Sequence, residues 1–242
     1  LKKMQWVSEQ SLQKGILPEY WLNESNCIIL DSRFLCTKEE FQRLGLSKDT
    51  VFYREVQLPK VKVHDTTKEN STYTQENLLF PGIKKENTNI FMYFFLQHQL
   101  EPQEWNALKT CLNLLPDEGL GGERSTGAGK FQSICIQEDN LPMPDSYSYF
   151  MNLSLVSPKD QQEMNQANFY RLIRRGGRRT AKDGQLKLTN MIQEGAVFEQ
   201  ELEGRLIDIS PQANNSYLRN GKAFSIPLHK NFETLWNTNN IN

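Results

Sequence analysis

The 242 residues include only three histidines, His64, His98 and His229. Metal-free acid–base chemistry at neutral pH usually draws on a positioned histidine, so the scarcity leaves His64, beside Asp65 and near two lysines, as the one candidate catalyst. His98, at the end of an apolar stretch, and His229, near the C-terminal tail, read as structural. The four cysteines, Cys27, Cys36, Cys111 and Cys135, form no Cys-x-x-Cys pair and fit no zinc-ribbon spacing, and no His, Cys or Asp pair stands at ligand-like spacing. No metal and no cofactor are expected, and the thiols are expected to be free, as in a reducing cytoplasm. No apolar run approaches the roughly 18 residues of a membrane span, and no secretory signal pattern is visible. The formal net charge of −1 excludes a chain-wide attraction to a polyanion.

What the chain does have is glycine in one place. Five of its 14 glycines, Gly119, Gly121, Gly122, Gly127 and Gly129, fall within 119–129, with Arg124, Ser125, Thr126 and Lys130 among and beside them. Glycine tolerates φ > 0 and lets another backbone approach, so the cluster describes a tight loop whose N–H groups are available to an anion, phosphate above all. Gly122 and Gly127 have P-loop spacing, but Ala128 and Gly129 follow and no hydroxyl comes after Lys130, so the Walker pattern fails. A dinucleotide fingerprint starting at Gly119 and Gly121 would need glycine where Arg124 stands, and it would need to follow a strand. A ligand-free turn remains the plain alternative.

Charge is also concentrated. Between Arg171 and Lys187 stand Arg171, Arg174, Arg175, Arg178, Arg179, Lys182 and Lys187 against the single acid Asp183. A solvated helix face usually mixes signs, whereas this run is nearly pure.

Periodicity gives an α+β pattern with room for one large or two small domains. Lys38–Leu46 reads as a short helix and Val51–Asp65 as a strand that puts Lys60, Lys62 and His64 on one face; Thr66–Asn77 has no period and reads as an excursion. Asn89–Leu100 suits a strand buried on both faces. Pro102 opens a helix with Trp105, Leu108, Leu112 and Leu115 on one side, and Phe131–Gln137 alternates like a half-buried strand. Strand, helix, loop and strand make the second half of a ferredoxin-like unit. After a linker at Asn140–Asp145 come a strand at Tyr147–Val156, a helix at Pro158–Ile173, further strands near Lys187–Ile192, Ala196–Phe198, Arg205–Ile209 and Lys222–Leu228, and a tail after Phe232 expected to fray.

The run Gly-Leu-Gly-Gly-Glu-Arg-Ser-Thr-Gly-Ala-Gly-Lys-Phe from Gly119 to Phe131, directly after Leu114-Leu115-Pro116-Asp117-Glu118, resembles the glycine-rich loop of the RAMP superfamily of CRISPR-associated proteins. Its form is closest to the subunits that cap the crRNA 5′ handle in type III-A (Csm) effector complexes. Phe169–Gly177, Glu194–Phe198 and Asn220–Pro227 resemble later segments of those subunits in the same order, so the likeness covers nearly the whole chain. It implies tandem ferredoxin-like (RRM-like) domains: residues 1–139, the remainder of an N-terminal domain with a thumb-like hairpin excursion and the glycine-rich loop, and residues 145–235. The lysine-rich opening Leu1–Ser8 resembles a segment that lies inside such proteins, so a preceding strand and helix are expected.

The resemblance further implies a non-catalytic, cytoplasmic RNA-binding subunit in antiviral defence. Its partners would be the crRNA 5′ handle, target RNA, a large polymerase-like subunit and backbone RAMP subunits, with no membrane. The RNA-binding residues would be Gly119, Gly121, Gly122, Arg124, Ser125, Thr126, Gly127, Gly129 and Lys130 in the loop; Arg174, Arg175, Gly176, Gly177, Arg178 and Arg179 in the basic run; and Lys60, Lys62 and His64 at the thumb, where relatives often place an arginine instead of His64. The alternative within the superfamily is a crRNA-processing endoribonuclease, which would need a catalytic histidine. A small-molecule phosphate or nucleotide binder is disfavoured by the missing Walker and dinucleotide letters.

Overall fold

The structure, a computed structural model, describes residues 4–62, 71–80, 91–141, 143–177, 185–211 and 217–237. His64, Arg178, Arg179 and Lys182 lie outside the described residues. The chain forms two compact units, residues 1–92 with 142–242, and residues 93–141.

The first unit begins with a three-stranded sheet in the order β1-β3-β2, from β1 (Trp6–Val7), β2 (Cys27–Leu30) and β3 (Phe34–Thr37). Between the first two strands lies α1 (Glu9–Gln13), and α2 (Lys38–Arg43) follows β3. The helix expected from Lys38 starts there because Thr37 caps it: the Glu40 N–H donates to the Thr37 hydroxyl and the Glu40 carboxylate accepts from the Thr37 N–H, a reciprocal capping box. Ile28, Leu30 and Cys36 pack with Phe34, Phe41, Leu46 and Phe52 beneath this sheet. All four cysteines are free, and burial pushes the Cys36 thiol up to about 11.

The next two strands form a ribbon of their own. β4 (Arg54–Lys62) pairs antiparallel with β5 (Ser71–Leu79), so most of the polar stretch expected to be an irregular excursion is a regular strand. Apolar alternation is written only where one face is buried, and the described residues of this ribbon are mostly exposed on both faces. A two-stranded ribbon therefore stands where the sequence shows no period.

The C-terminal part builds a four-stranded antiparallel sheet in the order β13-β6-β10-β7, from β6 (Tyr147–Asn152), β7 (Ala167–Phe169), β10 (Val197–Phe198) and β13 (Ser225–His229). The helix expected over Pro158–Ile173 is confined to α4 (Gln161–Asn165). The following residues, rich in aromatics and containing Ile173, are captured instead as β7 and β8 (Leu172–Arg175), because β10 and β9 (Thr189–Ile192) supply ladders for them. A small ribbon of β11 (Ile207–Asp208) and β12 (Leu218–Arg219) completes this part. Val156, Ile192, Ala196, Phe198 and Leu202 form its core. A second cluster, Val197, Leu228 and Phe232, receives Leu12 and Leu17 from the N-terminal part and Leu235 from α5 (Thr234–Asn237). The tail is thus helical through Asn237 where fraying was expected, because Leu235 has an apolar surface to meet.

The second unit contains α3 (Pro102–Glu118), which starts at the expected proline, with the Glu101 N–H donating to the Glu104 carboxylate. The strands expected on either side of it are not formed: residues 91–100 and 131–137 carry no ladder, and Phe91 is 77% exposed. Strand-like sequence becomes strand only where a neighbour offers hydrogen bonds, and no described residue does so here. No helix among the described residues is long and apolar enough to cross a membrane.

Candidate nucleic-acid interface

The glycine-rich loop is a closed neck with an open tip. α3 ends at Gly119, whose N–H donates to the Leu115 carbonyl at 2.7 Å. The Leu120 N–H then donates across the neck to the Gly129 carbonyl at 2.9 Å. A Cβ on Gly129 would stand 1.8 Å from the Leu120 carbonyl oxygen, and one on Gly119 would stand 2.8 Å from that of Ala128. These two glycines therefore serve the loop's own closure, and only a bare backbone fits there. At the tip, by contrast, a Cβ on Gly121, Gly122 or Gly127 would meet nothing within 4 Å.

Across the tip the 3₁₀ turn Arg124–Thr126 is held by Thr126 N–H to Glu123 O and Gly127 N–H to Arg124 O. The N–H groups of Gly121, Gly122, Glu123 and Arg124 have no acceptor among the described residues. A succession of free amides on an exposed loop is a concavity suited to an anion. The Thr126 hydroxyl donates to Glu123 O, the exposed Arg124 lies 4.0 Å from Glu118, and Lys130 is exposed without an ion pair among the described residues.

The described arginines Arg174 and Arg175 of the basic run sit on a strand of a β ribbon and not on a helix face. Arg174 stands opposite Asn190 and Arg175 opposite Thr189 in the β8–β9 register. Both arginines are exposed. Adjacent strand residues point to opposite faces, so the two grip from two sides instead of forming one patch. Gly176 and Gly177 follow, and the Gly176 carbonyl accepts from Arg219 Nη2 at 3.0 Å while Arg219 Nη1 donates to the Thr189 hydroxyl. Arg219, which the sequence reading missed, thus props the end of the ribbon; nothing local in the sequence marks it, since it arrives from β12.

On the β4–β5 ribbon the register places positions 60 and 62 on one face, with Lys60 opposite Tyr73, itself half exposed. His98 stacks on Trp105 at a ring distance of 4.3 Å and its Nδ1 accepts from the Leu100 N–H. His229 Nδ1 accepts from the Asn231 N–H. Both therefore have roles inside the fold. Among the described residues, no cluster of three or more His, Cys, Asp or Glu is placed to hold a metal ion.

A further charged cluster lies outside the expected sites. Glu203 accepts from Lys159 Nζ at 2.7 Å and Lys222 Nζ at 3.0 Å. These hydrogen bonds hold its carboxyl down at about 2. The Lys159 ammonium is raised above its ordinary value by the same contact.

The stretch from β6 into β13, with the basic ribbon and this cluster, is similar to a known family. Residues 145–228 match the family model of the CRISPR Csm4 C-terminal domain. This segment is thus similar to a Csm4 C-terminal domain. A curated relative, the CRISPR system Cms protein Csm4 of Methanocaldococcus jannaschii, is 31% identical over 140 residues, which cover 53% of this chain and 37% of that protein. The chain thus spans well under half the length of the curated relative it matches. The crystal structure of the Csm3-Csm4 subcomplex in the type III-A CRISPR-Cas interference complex matches with a TM-score of 0.65 over 94% of this chain and 74% of that one, at 19% identity. At that identity the match shows a shared fold. Within the matched residues lie Arg174, Arg175, Gly176 and Gly177; the glycine-rich loop and the β4–β5 ribbon lie outside them.

Proposed function

We propose that this chain is a non-catalytic RNA-binding subunit of a type III-A CRISPR (Csm) effector complex, holding the 5′ handle of the crRNA. The observation that carries the reading is the β8–β9 ribbon: within the residues similar to the Csm4 C-terminal domain it presents Arg174 and Arg175 to solvent with no carboxylate partner among the described residues. Cations left unpaired on an exposed strand suit phosphates, which fix position while base contacts add preference. The free amides at the tip of the glycine loop support the same reading, as a second phosphate grip. Lys60, with Tyr73 across from it, would meet the guide or target RNA from the hairpin.

Partners in this reading are a Csm3-type backbone subunit, by analogy with the solved subcomplex, and a large polymerase-like subunit. The protein acts in the cytoplasm. We read the C-terminal sheet, with α4 after its first strand, as a modified ferredoxin-like unit. The engagement of His98 and His229 within the fold favours binding over catalysis.

Salt dependence tests the reading. Each phosphate neutralised on single-stranded RNA contributes a slope of about 0.7 in log affinity against log salt. Replacing Arg174 and Arg175 with alanine is expected to flatten the slope by about 1.4 if each holds one phosphate. A slope that does not change in the folded double variant would refute the ribbon as the RNA contact.

A further inference from the structure

Beside the basic ribbon, in the first unit, opens a cleft of about 400 Å³. Its apolar lining includes Pro158, Met164 and Leu172, with the buried Ile192 at its base, and its polar lining includes Ser157, Asn190 and Arg205. Backbone contacts fix this wall rigidly. The Arg205 N–H donates to Ser157 O at 3.0 Å and to Gly221 O at 3.2 Å. A Cβ on Gly204 would stand 2.2 Å from Gly221 O, and one on Gly221 would stand 2.8 Å from the Ser157 Cβ, so three chain segments meet there at a distance that only glycine allows.

The charged groups at the rim divide into committed and uncommitted. Lys159 is paired with Glu203, and the Asp160 carboxylate accepts from the Gln162 and Glu163 N–H groups. Arg205 spends only its Nε on the Ser157 hydroxyl, at 3.4 Å, and has no carboxylate partner among the described residues. The Asn190 amide has no side-chain partner among them either. In the ribbon register Leu172 faces Ile192 and Arg174 faces Asn190. Cross-strand pairs and residues two apart share one face, so Arg174 stands one step along the face that lines the cleft.

We propose that this cleft receives one unstacked base of the bound single-stranded RNA, with Arg174 and Arg205 on the phosphates that flank it. The inference rests on the RNA-binding reading above and names the subsite. The volume lies within the range of small-ligand pockets, roughly 300 to 1,000 Å³. A flat ring covers the Pro158, Met164 and Leu172 surface, which a free phosphate would leave wet. The Asn190 amide, with one acceptor and two donors, matches the polar edge of a base. The uncommitted guanidinium groups favour an anionic strand over the acidic or neutral side chain of a protein partner.

Short single-stranded RNAs with an abasic site moved one position at a time test the subsite, with affinities read by fluorescence anisotropy on the purified chain and its variants. Loss of the base at one position is expected to weaken binding by at least about fivefold, the low end for one base contact, and loss elsewhere by less than about twofold. Asn190→Leu is expected to weaken binding of the intact RNA similarly and to erase the penalty of that abasic position. Leu172→Glu, at a residue 60% exposed and therefore tolerant of change, is expected to do the same by repelling the strand. RNA that binds with equal affinity at every abasic position, to wild type and to both variants, would overturn the subsite and leave the RNA-binding reading standing. No RNA bound by the wild type at low salt would overturn both. Variants that keep RNA affinity but lose binding to a Csm3-type subunit would assign the cleft to a protein partner, against the proposal.

Discussion

Replacing Gly129 with alanine is the sharpest perturbation of the glycine loop. Its φ is +75°, a conformation that costs a side-chain-bearing residue about 1 to 3 kcal/mol. The new Cβ would also stand 1.8 Å from the Leu120 carbonyl oxygen, which is backbone and cannot rotate away. The neck must therefore open, with loss of the Leu120 N–H to Gly129 O bond, worth about 0.5 to 1.5 kcal/mol net. The sum, about 1.5 to 4.5 kcal/mol, corresponds to a local opening equilibrium raised by about 10- to 2,000-fold. An exposed loop opens without unfolding the rest, so the cost is expected in hydrogen exchange of the Leu120 amide and not in the global melting midpoint. RNA affinity is expected to fall with it, because the tip amides lose their fixed arrangement. Gly122→Ala is the control: a Cβ there meets nothing and the residue has no positive φ, so the loop is expected to keep its protection. Unchanged Leu120 exchange in Gly129→Ala, or equal effects in the two variants, would refute the closed-neck account.

Three other outcomes follow from the geometry. Phe198→Ala removes a side chain with 0% exposure from the centre of the C-terminal core, and chemical denaturation is expected to show a loss of about 3 to 5 kcal/mol; a loss below about 1 kcal/mol would mean that the site collapses fully. Glu203 titrates at about 2 in the folded chain against an ordinary 4.5, so its contribution is fully present above about pH 4.5 and disappears as pH falls toward about 2. The stability gap between wild type and Glu203→Gln should therefore shrink across that window in acid melts, and a gap independent of pH would contradict the Lys159–Glu203–Lys222 contacts. The purified chain incubated with a crRNA precursor, with and without magnesium, is expected to leave the RNA intact; cleavage that vanishes in His64→Ala would move the protein to the endoribonuclease class.

Local chemistry was sufficient to mark several parts of this protein in its sequence. Thr37 and Glu40 specify the start of α2, Pro102 and the stripe of Trp105, Leu108, Leu112 and Leu115 specify α3, and the crowding of glycine at 119–129 specifies a loop immediately after it. These features depend on residues within a few positions of each other, where capping, φ preference and helical period act without help. Alternation also found β4 but failed on its partner β5, whose residues 71–77 are almost wholly polar and form a strand only because β4 supplies their ladder. It failed in the opposite sense at 91–100 and 131–137, where apolar character was present and partner strands were not.

Pairing also decided the fate of the basic run. Pro158–Ile173 has helical content, yet beyond Asn165 the chain finds β10 and β9 alongside and extends, which turns one expected helix face into two faces of a ribbon. The division of labour among the glycines was equally hidden: Gly129 and Gly119 close the neck because Leu120 and Ala128 come against them, while Gly121, Gly122 and Gly127 have empty space. The cleft belongs wholly to the tertiary structure, since Ser157, Asn190 and Arg205 lie far apart in the chain and meet only because Gly204 and Gly221 let their backbones touch. Sequence fixes what neighbours within a turn or a hairpin can settle by themselves; contacts between distant segments arise only when those segments have found one another's hydrogen bonds and apolar faces.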